Sequence, residues 1–478
     1  MKTENKMKLL IRSGSLVTPT KICRADLLVE DGIIREIGVD LSIPDDTEIV
    51  DASGKLVMPG GVDPHVHLDL PTFGTVSSDD HYTGTKAAAF GGTTTVIDFI
   101  PQQSEPLLSN LEAWHNKAAG RAAIDYSFHM NITHLDEQVE ADLPLLVREG
   151  IPSIKVFTAY NDRLRLPDGD IFKVMRIANN HDILTLLHAE NGDVIDILIR
   201  EALIAGHTEP IWHARTRPAW GAVESALRGA AFSAQSGGSL YLVHMSTAGE
   251  VDMLEYAREK GIPIMGETCP QYLCFTEKDL QREDGAKWIC SPPIRIGMDQ
   301  VRLWEGLKDG IIQAVGTDHC PFFYDGTKEI IYEGQSIKIP GKELGEGNFS
   351  RTPNGLPGVG DRLPIMWTEG VGHKRITPQQ FVQLHCTQPA KIFGLYPRKG
   401  TIQVGSDADI VIWNPDYSLT YGISVARHRT DYNLYEGWEL KGFPEKVFLG
   451  GDLIVDQGQW CGRAGGGKFL KRHAGEII

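Results

Sequence analysis

Between residues 56 and 318 the chain repeats one pattern, a short apolar segment of β character followed by a stretch whose apolar residues recur at helical spacing. Eight β-type segments stand at 62–67, 94–100, 126–131, 153–157, 183–188, 239–244, 262–268 and 311–317. Amphipathic runs such as LLSNLEAWHNKAAGRA, GDVIDILIREALIAG and AGEVDMLEYAREKG separate most of them. Strands alternating with helices form parallel βα units, and eight units predict a closed (β/α)8 TIM barrel of the α/β class. An open doubly wound sheet is the other arrangement. It would normally carry a Gly-rich phosphate turn near its first strand, and none stands there.

The two ends read differently. Residues 8–58 hold short β-type runs broken by Gly, Asp and Pro, and the same texture returns after residue 398 in GTIQVGSDADIVIWNP and EKVFLGGDLIVDQG. The expected organisation is a small β-sandwich-like domain made from residues 1–58 and 398–460, a barrel over 59–397, and a tail over 461–478. In the tail, GRAGGGK (462–468) matches the start of a phosphate loop, but Phe469 replaces the required Ser or Thr. It reads as a flexible tail.

Charge and cysteines narrow the partners. A formal net charge of −16 repels phosphate backbones and anionic lipid, which argues against nucleic acid or a membrane surface. The seven cysteines are scattered singly with no Cys-x-x-Cys, as expected of reduced thiols in the cytoplasm. Neither a secretory apolar region near the start nor a run of about 20 apolar residues is present.

In such a barrel, reactive groups sit at the C-terminal ends of the strands. There the segments carry His65 and His67, Lys155, His188, His244 and Asp318. His65 and His67 are two apart and so share a face. Lys155, between Ile154 and Val156, is costly to bury unless paired or deprotonated. A lysine paired with an acid across the barrel is the ordinary reading. Beside four histidines and an aspartate, a neutral amine can also take up CO2 as a carbamate, an anionic ligand able to bridge two cations. His65, His67 and Asp318 would then share one ion and His188 and His244 a second, with Lys155 between them. Imidazole and carboxylate oxygen suit Zn²⁺ and tolerate Mn²⁺. His129 and Asp98 are candidates for orienting ligands, and His319 and Cys320 for packing or hydrogen bonding beside Asp318.

The chain resembles the cyclic amidohydrolases of the dihydropyrimidinase and hydantoinase group over nearly its whole length. The resemblance is carried by PGGVDPHVHLDLP, AAFGGTTTVIDF, SIKVFTAY, LLHAENGDVI, YLVHMS, GETCPQYL, SPPIR, GTDHCPF, TPNGLPG and AKIFGLYPRKGTIQVGSDADIVIW, in that order. It implies the same six ligands, a carboxylated Lys155 and two divalent ions. It also implies that Tyr160 donates to a tetrahedral oxyanion, that Ser291 and Asn354 bind the ring amide, and that Leu70, Phe73, Phe157 and Leu164 gate the exocyclic substituent. The implied activity is hydrolytic opening of dihydropyrimidines or 5-substituted hydantoins to N-carbamoyl amino acids by a hydroxide between the ions, in a homotetramer or homodimer. Allantoinase is the competing activity, and a non-catalytic scaffold the competing class. Dihydroorotase is disfavoured because Leu68 and Asp69, not an arginine, follow His67, and an acid there would repel the substrate carboxylate. Residues 322–347 form a long loop after the eighth segment, a cover for the site or a solvated insertion.

Overall fold

The computed structural model describes residues 8–478, so the first seven residues of the 1–58 segment lie outside it. All eight expected segments are strands of one parallel sheet: Gly61–Val66, Thr93–Ile100, Asp125–Asn131, Ser153–Phe157, Leu184–His188, Leu240–Leu242, Ile264–Thr268 and Ala314–Val315. The last meets the first through a parallel bridge from Val66 to His319, reinforced by His67 N donating to His319 O at 2.8 Å. That contact closes the barrel, and it places Asp318 beside the two histidines of the first strand. The Pro-Gly-Gly before the first strand has a steric cause. A Cβ on Gly60 would meet Thr94 Oγ1 at 2.1 Å, so the chain can enter the barrel here only without a side chain.

Crossover helices, among them Leu107–Ala118, Glu137–Arg148, Asp168–Asn180, Ala219–Ser236 and Ala248–Glu259, return the chain between strands. Ala248–Glu259 begins in a capping box of Thr247 and Glu250 and buries Val251, Leu254 and Ala257. The offsets of three from each to the next keep them on one face.

Both chain ends contribute to a second, nine-strand sheet, joined where Ile410–Thr420 pairs antiparallel with Leu56–Pro59. Its strands show the period of two directly: Ile410 and Ile412 lie in the sheet's own core with Leu9, Ile11 and Phe448, whereas Val411 and Trp413 join the barrel's core. The edge strand Ile33–Gly38 reaches back toward the start of Ile410–Thr420, with Ile34 N donating to Ser406 O at 3.0 Å, so the sheet curls around that core. Among the described residues no helix is long and apolar enough to cross a membrane.

The tail departs from expectation. Rather than hanging free, residues 465–476 run along the end of the barrel opposite the candidate ligand residues: Gly467 N donates to Ala122 O (2.9 Å), Tyr126 N to Lys468 O (3.0 Å) and Leu470 N to Tyr126 O (2.7 Å). A Cβ on Gly467 would lie 1.8 Å from Ile124 O, so the glycine run permits close backbone approach where it had suggested flexibility. Phe469 stacks on Phe128, and Arg472 is buried with its guanidinium on Phe128 O, Ser153 Oγ and Ser127 Oγ.

Candidate active site

The first strand aims His65 into the barrel, and His67 follows one residue past its end. Asp318 Oδ1 lies 3.2 Å from His65 Nε2 and 3.0 Å from His67 Nε2. Lys155 Nζ lies 3.0 Å from His65 Nε2, over the ring of Phe99 on the second strand. From the fifth and sixth strand ends, His188 Nδ1 faces His244 Nε2 at 3.0 Å, and the His244 ring is 5.4 Å from that of His65. The six residues expected to gather do gather.

The donor set fits divalent ions. A tetrahedral ion bonded at about 2.0–2.1 Å holds its nitrogen ligands roughly 3.4 Å apart, close to the spacings seen here. The ligand atoms of His65, His67 and Asp318 all lie within 4.8 Å of one another. Burial pushes His67 down to about 4 and His244 well below the usual imidazole range, so both offer the neutral form that binds metal. Partial burial of Asp318 would raise its pKa, but the charge of His65 and the hydrogen bonds from His65 and His67 hold it well below the usual carboxylate range. Burial lowers Lys155 to about 8, against the pull of Asp318 and Glu267.

Three of the converging residues, Tyr160, His244 and Asp318, hold φ of +64°, +42° and +53°. Non-glycine residues adopt this region at a cost, and such strain collects at functional sites where surrounding contacts enforce it.

The supporting partners were not all foreseen. Glu267, from the seventh strand, hydrogen-bonds His65 Nδ1 and accepts from Tyr241 OH at 3.1 Å; Glu190 Oε2 lies 2.9 Å from His188 Nε2. Each carboxylate fixes the tautomer and orientation of the ring it touches. The sequence signal for Glu267 was an acid inside an apolar strand, the same signal that marked Lys155. His129 and Asp98 act on backbone: His129 bridges Pro64 O (3.0 Å) and Ser153 Oγ (2.6 Å), and Asp98 accepts from Leu68 N (3.0 Å) while binding His81 and Trp114. His319 turns away from the ligands to Asp79 (3.2 Å) and accepts from the backbone of Gly358. Cys320 is buried.

On the substrate side, Tyr160 is partly buried with its ring 5.3 Å from that of His188. Burial and nearby Glu190 raise its hydroxyl to about 12, which keeps it a proton donor at neutral pH. Asn354 Nδ2 donates to Ser291 Oγ at 3.0 Å, so these two loop residues are physically joined. His213, which the sequence did not single out, meets Cys290 O at 2.7 Å. Leu70, Phe73 and Leu164 are half-buried, and Arg163 ties their loops together by covering the Phe73 ring and bonding Thr72 Oγ1 at 3.0 Å. Phe157 is buried deeper, its ring 5.7 Å from that of His188. Asp69 pairs with Lys117 at 3.1 Å. That pairing offsets the charge expected to repel a substrate carboxylate, so the case against dihydroorotate rests on the missing arginine alone.

Comparison with known proteins agrees with this geometry. The amidohydrolase family matches residues 56–454. The D-hydantoinase of Geobacillus stearothermophilus is 44% identical over 98% of this chain and 97% of its own length. The crystal structure of dihydropyrimidinase from Brevibacillus agri NCHU1002 superposes with a TM-score of 0.93 at 43% identity, covering 98% of this chain and 100% of that one. The L-hydantoinase (dihydropyrimidinase) from Arthrobacter aurescens gives 0.86 at 27% identity, covering 97% and 99%. With its barrel, its His-x-His strand and its facing aspartate, the chain belongs to the amidohydrolase family, on the branch of the hydantoinases and dihydropyrimidinases.

Proposed function

We propose that the protein hydrolyses the ring amide of 5,6-dihydropyrimidines or 5-substituted hydantoins, giving N-carbamoyl amino acids. The observation that carries this reading is the approach of Asp318 to both His65 and His67, with buried Lys155 Nζ 3.0 Å from His65 Nε2. His65, His67 and Asp318 would hold one divalent ion and His188 and His244 another, zinc being the first choice and manganese the second. Such ions would acidify a shared water and polarise the ring carbonyl. Deprotonated Lys155 would attack CO2 through its nitrogen lone pair and release one proton, and the resulting carbamate would add anionic oxygen to the ligands of the ions.

The remaining roles follow from the chain itself. Asp318, ionised at neutral pH, accepts the proton of the attacking water and passes it to the leaving ring nitrogen, which completes the hydrolysis without a redox cofactor. Tyr160, protonated, donates to the oxyanion as the carbonyl carbon becomes tetrahedral. Ser291 and Asn354 hold the ring amide, and Leu70, Phe73, Phe157 and Leu164 face the exocyclic substituent. The D-hydantoinase of Geobacillus stearothermophilus, more similar to this chain than the L-hydantoinase of Arthrobacter aurescens, supports the D-isomer of a 5-substituted hydantoin over the L-isomer. A cytoplasmic location, supported by seven free cysteines, and a homotetramer or homodimer, checked by sedimentation, complete the proposal.

Initial rates on dihydrouracil, D- and L-5-phenylhydantoin, hydantoin, allantoin and dihydroorotate test it side by side. Ring opening of the first or second group by zinc- and bicarbonate-loaded protein is expected. Turnover of allantoin or dihydroorotate alone would contradict it.

A further inference from the structure

Residues 322–347 contain a buried lysine that the reaction above does not use. The tip of this segment, the hairpin Ile330–Tyr332 with Gln335–Ile337, is solvated, with Ile331 72% exposed. Its stem returns to the interior, where Lys342 N donates to Phe323 O at 2.7 Å and the Lys342 side chain is covered. Among the described residues no carboxylate lies within ion-pair distance of Lys342. Its Nζ donates instead to Ile289 O at 2.9 Å and Pro353 O at 3.1 Å. An amine without a counter-charge is an expensive way to fill apolar space, since a methionine of similar length would fill it without desolvating a charge. Burial lowers the amine to about 7. Even the neutral form keeps two N–H groups, enough for the two carbonyls.

Those carbonyls are not arbitrary. Ile289 stands two residues before Ser291, and Pro353 immediately precedes Asn354. Ile289 O also accepts from Gly355 N at 3.1 Å, and Asn354 Nδ2 donates to Ser291 Oγ. One amine from a third loop therefore braces both loops assigned to the ring amide.

We propose that Lys342 is a positioning residue: by holding the carbonyls of Ile289 and Pro353 it sets the spacing of the Ser291 and Asn354 loops, and with it the affinity for the cyclic amide. It touches neither substrate nor metal ligands. The effect on affinity rests on the cyclic-amide reading; the brace does not.

Lys342→Met keeps the volume and removes the donors. In the metal-loaded enzyme the expected result is unchanged metal content and a KM for hydantoin or dihydrouracil raised about tenfold, with kcat altered less than about threefold. Hydrogen–deuterium exchange should quicken in 289–296 and 352–356 and stay unchanged in the barrel strands. Should Lys342→Met fail to fold, Lys342→Gln, which keeps a donor on a shorter side chain, should raise KM and quicken exchange in the same two segments relative to wild type. Unchanged KM with unchanged exchange, or a fall in kcat alone, would overturn the proposal. If wild-type protein opened no cyclic amide, the assigned reaction would fail, while the exchange comparison would still decide whether Lys342 braces the loops.

Discussion

Lys155 and Lys399 are both buried, at opposite ends of the same barrel. Lys399 Nζ is ringed by Asp125 at 2.6 Å, Asp409 at 2.7 Å and Asp407 at 3.0 Å. Burial alone would lower its pKa, but Asp409, Asp125 and Asp407 hold it above the ordinary lysine range. No carboxylate lies within ion-pair distance of Lys155 among the described residues, and burial lowers it to about 8. The same side chain is thus a permanent cation where it joins the chain-end sheet to the barrel and tail, and an amine of lowered pKa beside the candidate metal-binding residues. Partner choice, not burial, separates structure from chemistry. Lys342, with two carbonyls and no acid, is a third use of the same residue.

The contrast can be broken at several points. Lys155→Ala should remove bound metal and lower kcat/KM by about 10³-fold or more, with partial rescue by a short carboxylic acid that supplies the missing oxygens. Retained metal and rate would show that the amine is structural, like that of Lys399. Tyr160→Phe should keep its metal and lose about 10²–10³-fold in kcat, read from steady-state rates with metal content measured on the same sample. Glu190→Gln should weaken metal binding by about 10–100-fold in a chelator competition, because His188 loses the carboxylate that orients it.

At the other end, Lys399→Met should leave kcat/KM of the folded enzyme unchanged. It should lower unfolding free energy by about 3–5 kcal/mol in denaturant titrations, since three carboxylates lose their partner. The sign with pH follows from the raised amine. Its contribution is present in full below the unfolded lysine value of about 10.4 and is lost as pH rises through that value toward the folded one. Wild-type protein should therefore lose this increment only above about pH 10, and the variant should show no such loss.

The strand count and the convergence of six ligand-type side chains were legible because each rests on a local pattern. Apolar β segments mark the strands, and ligand-type residues at their C-terminal ends mark the site, down to the odd lysine in SIKVF. What stayed hidden depends on what a residue meets across the fold. Glu267 could be seen as an acid in an apolar strand, but its target, His65, lies 202 positions away. The glycines near the end read as a flexible tail, and only the approach of Gly467 to the carbonyl of Ile124 shows why they are there. The charge of Asp69 was read without Lys117, which lies on a helix 48 positions further on. Residues 322–347 read as a cover for the site or a solvated insertion, and neither reading marks Lys342, whose carbonyl partners lie on other loops.

The central claim is that Lys155 turns one ion site into two. Its most direct test is the metal stoichiometry of wild-type protein reconstituted with zinc and bicarbonate, counted against chain concentration. About two ions per chain are expected, in line with a two-metal hydrolase. One ion or none, in protein that still opens the ring, would contradict it.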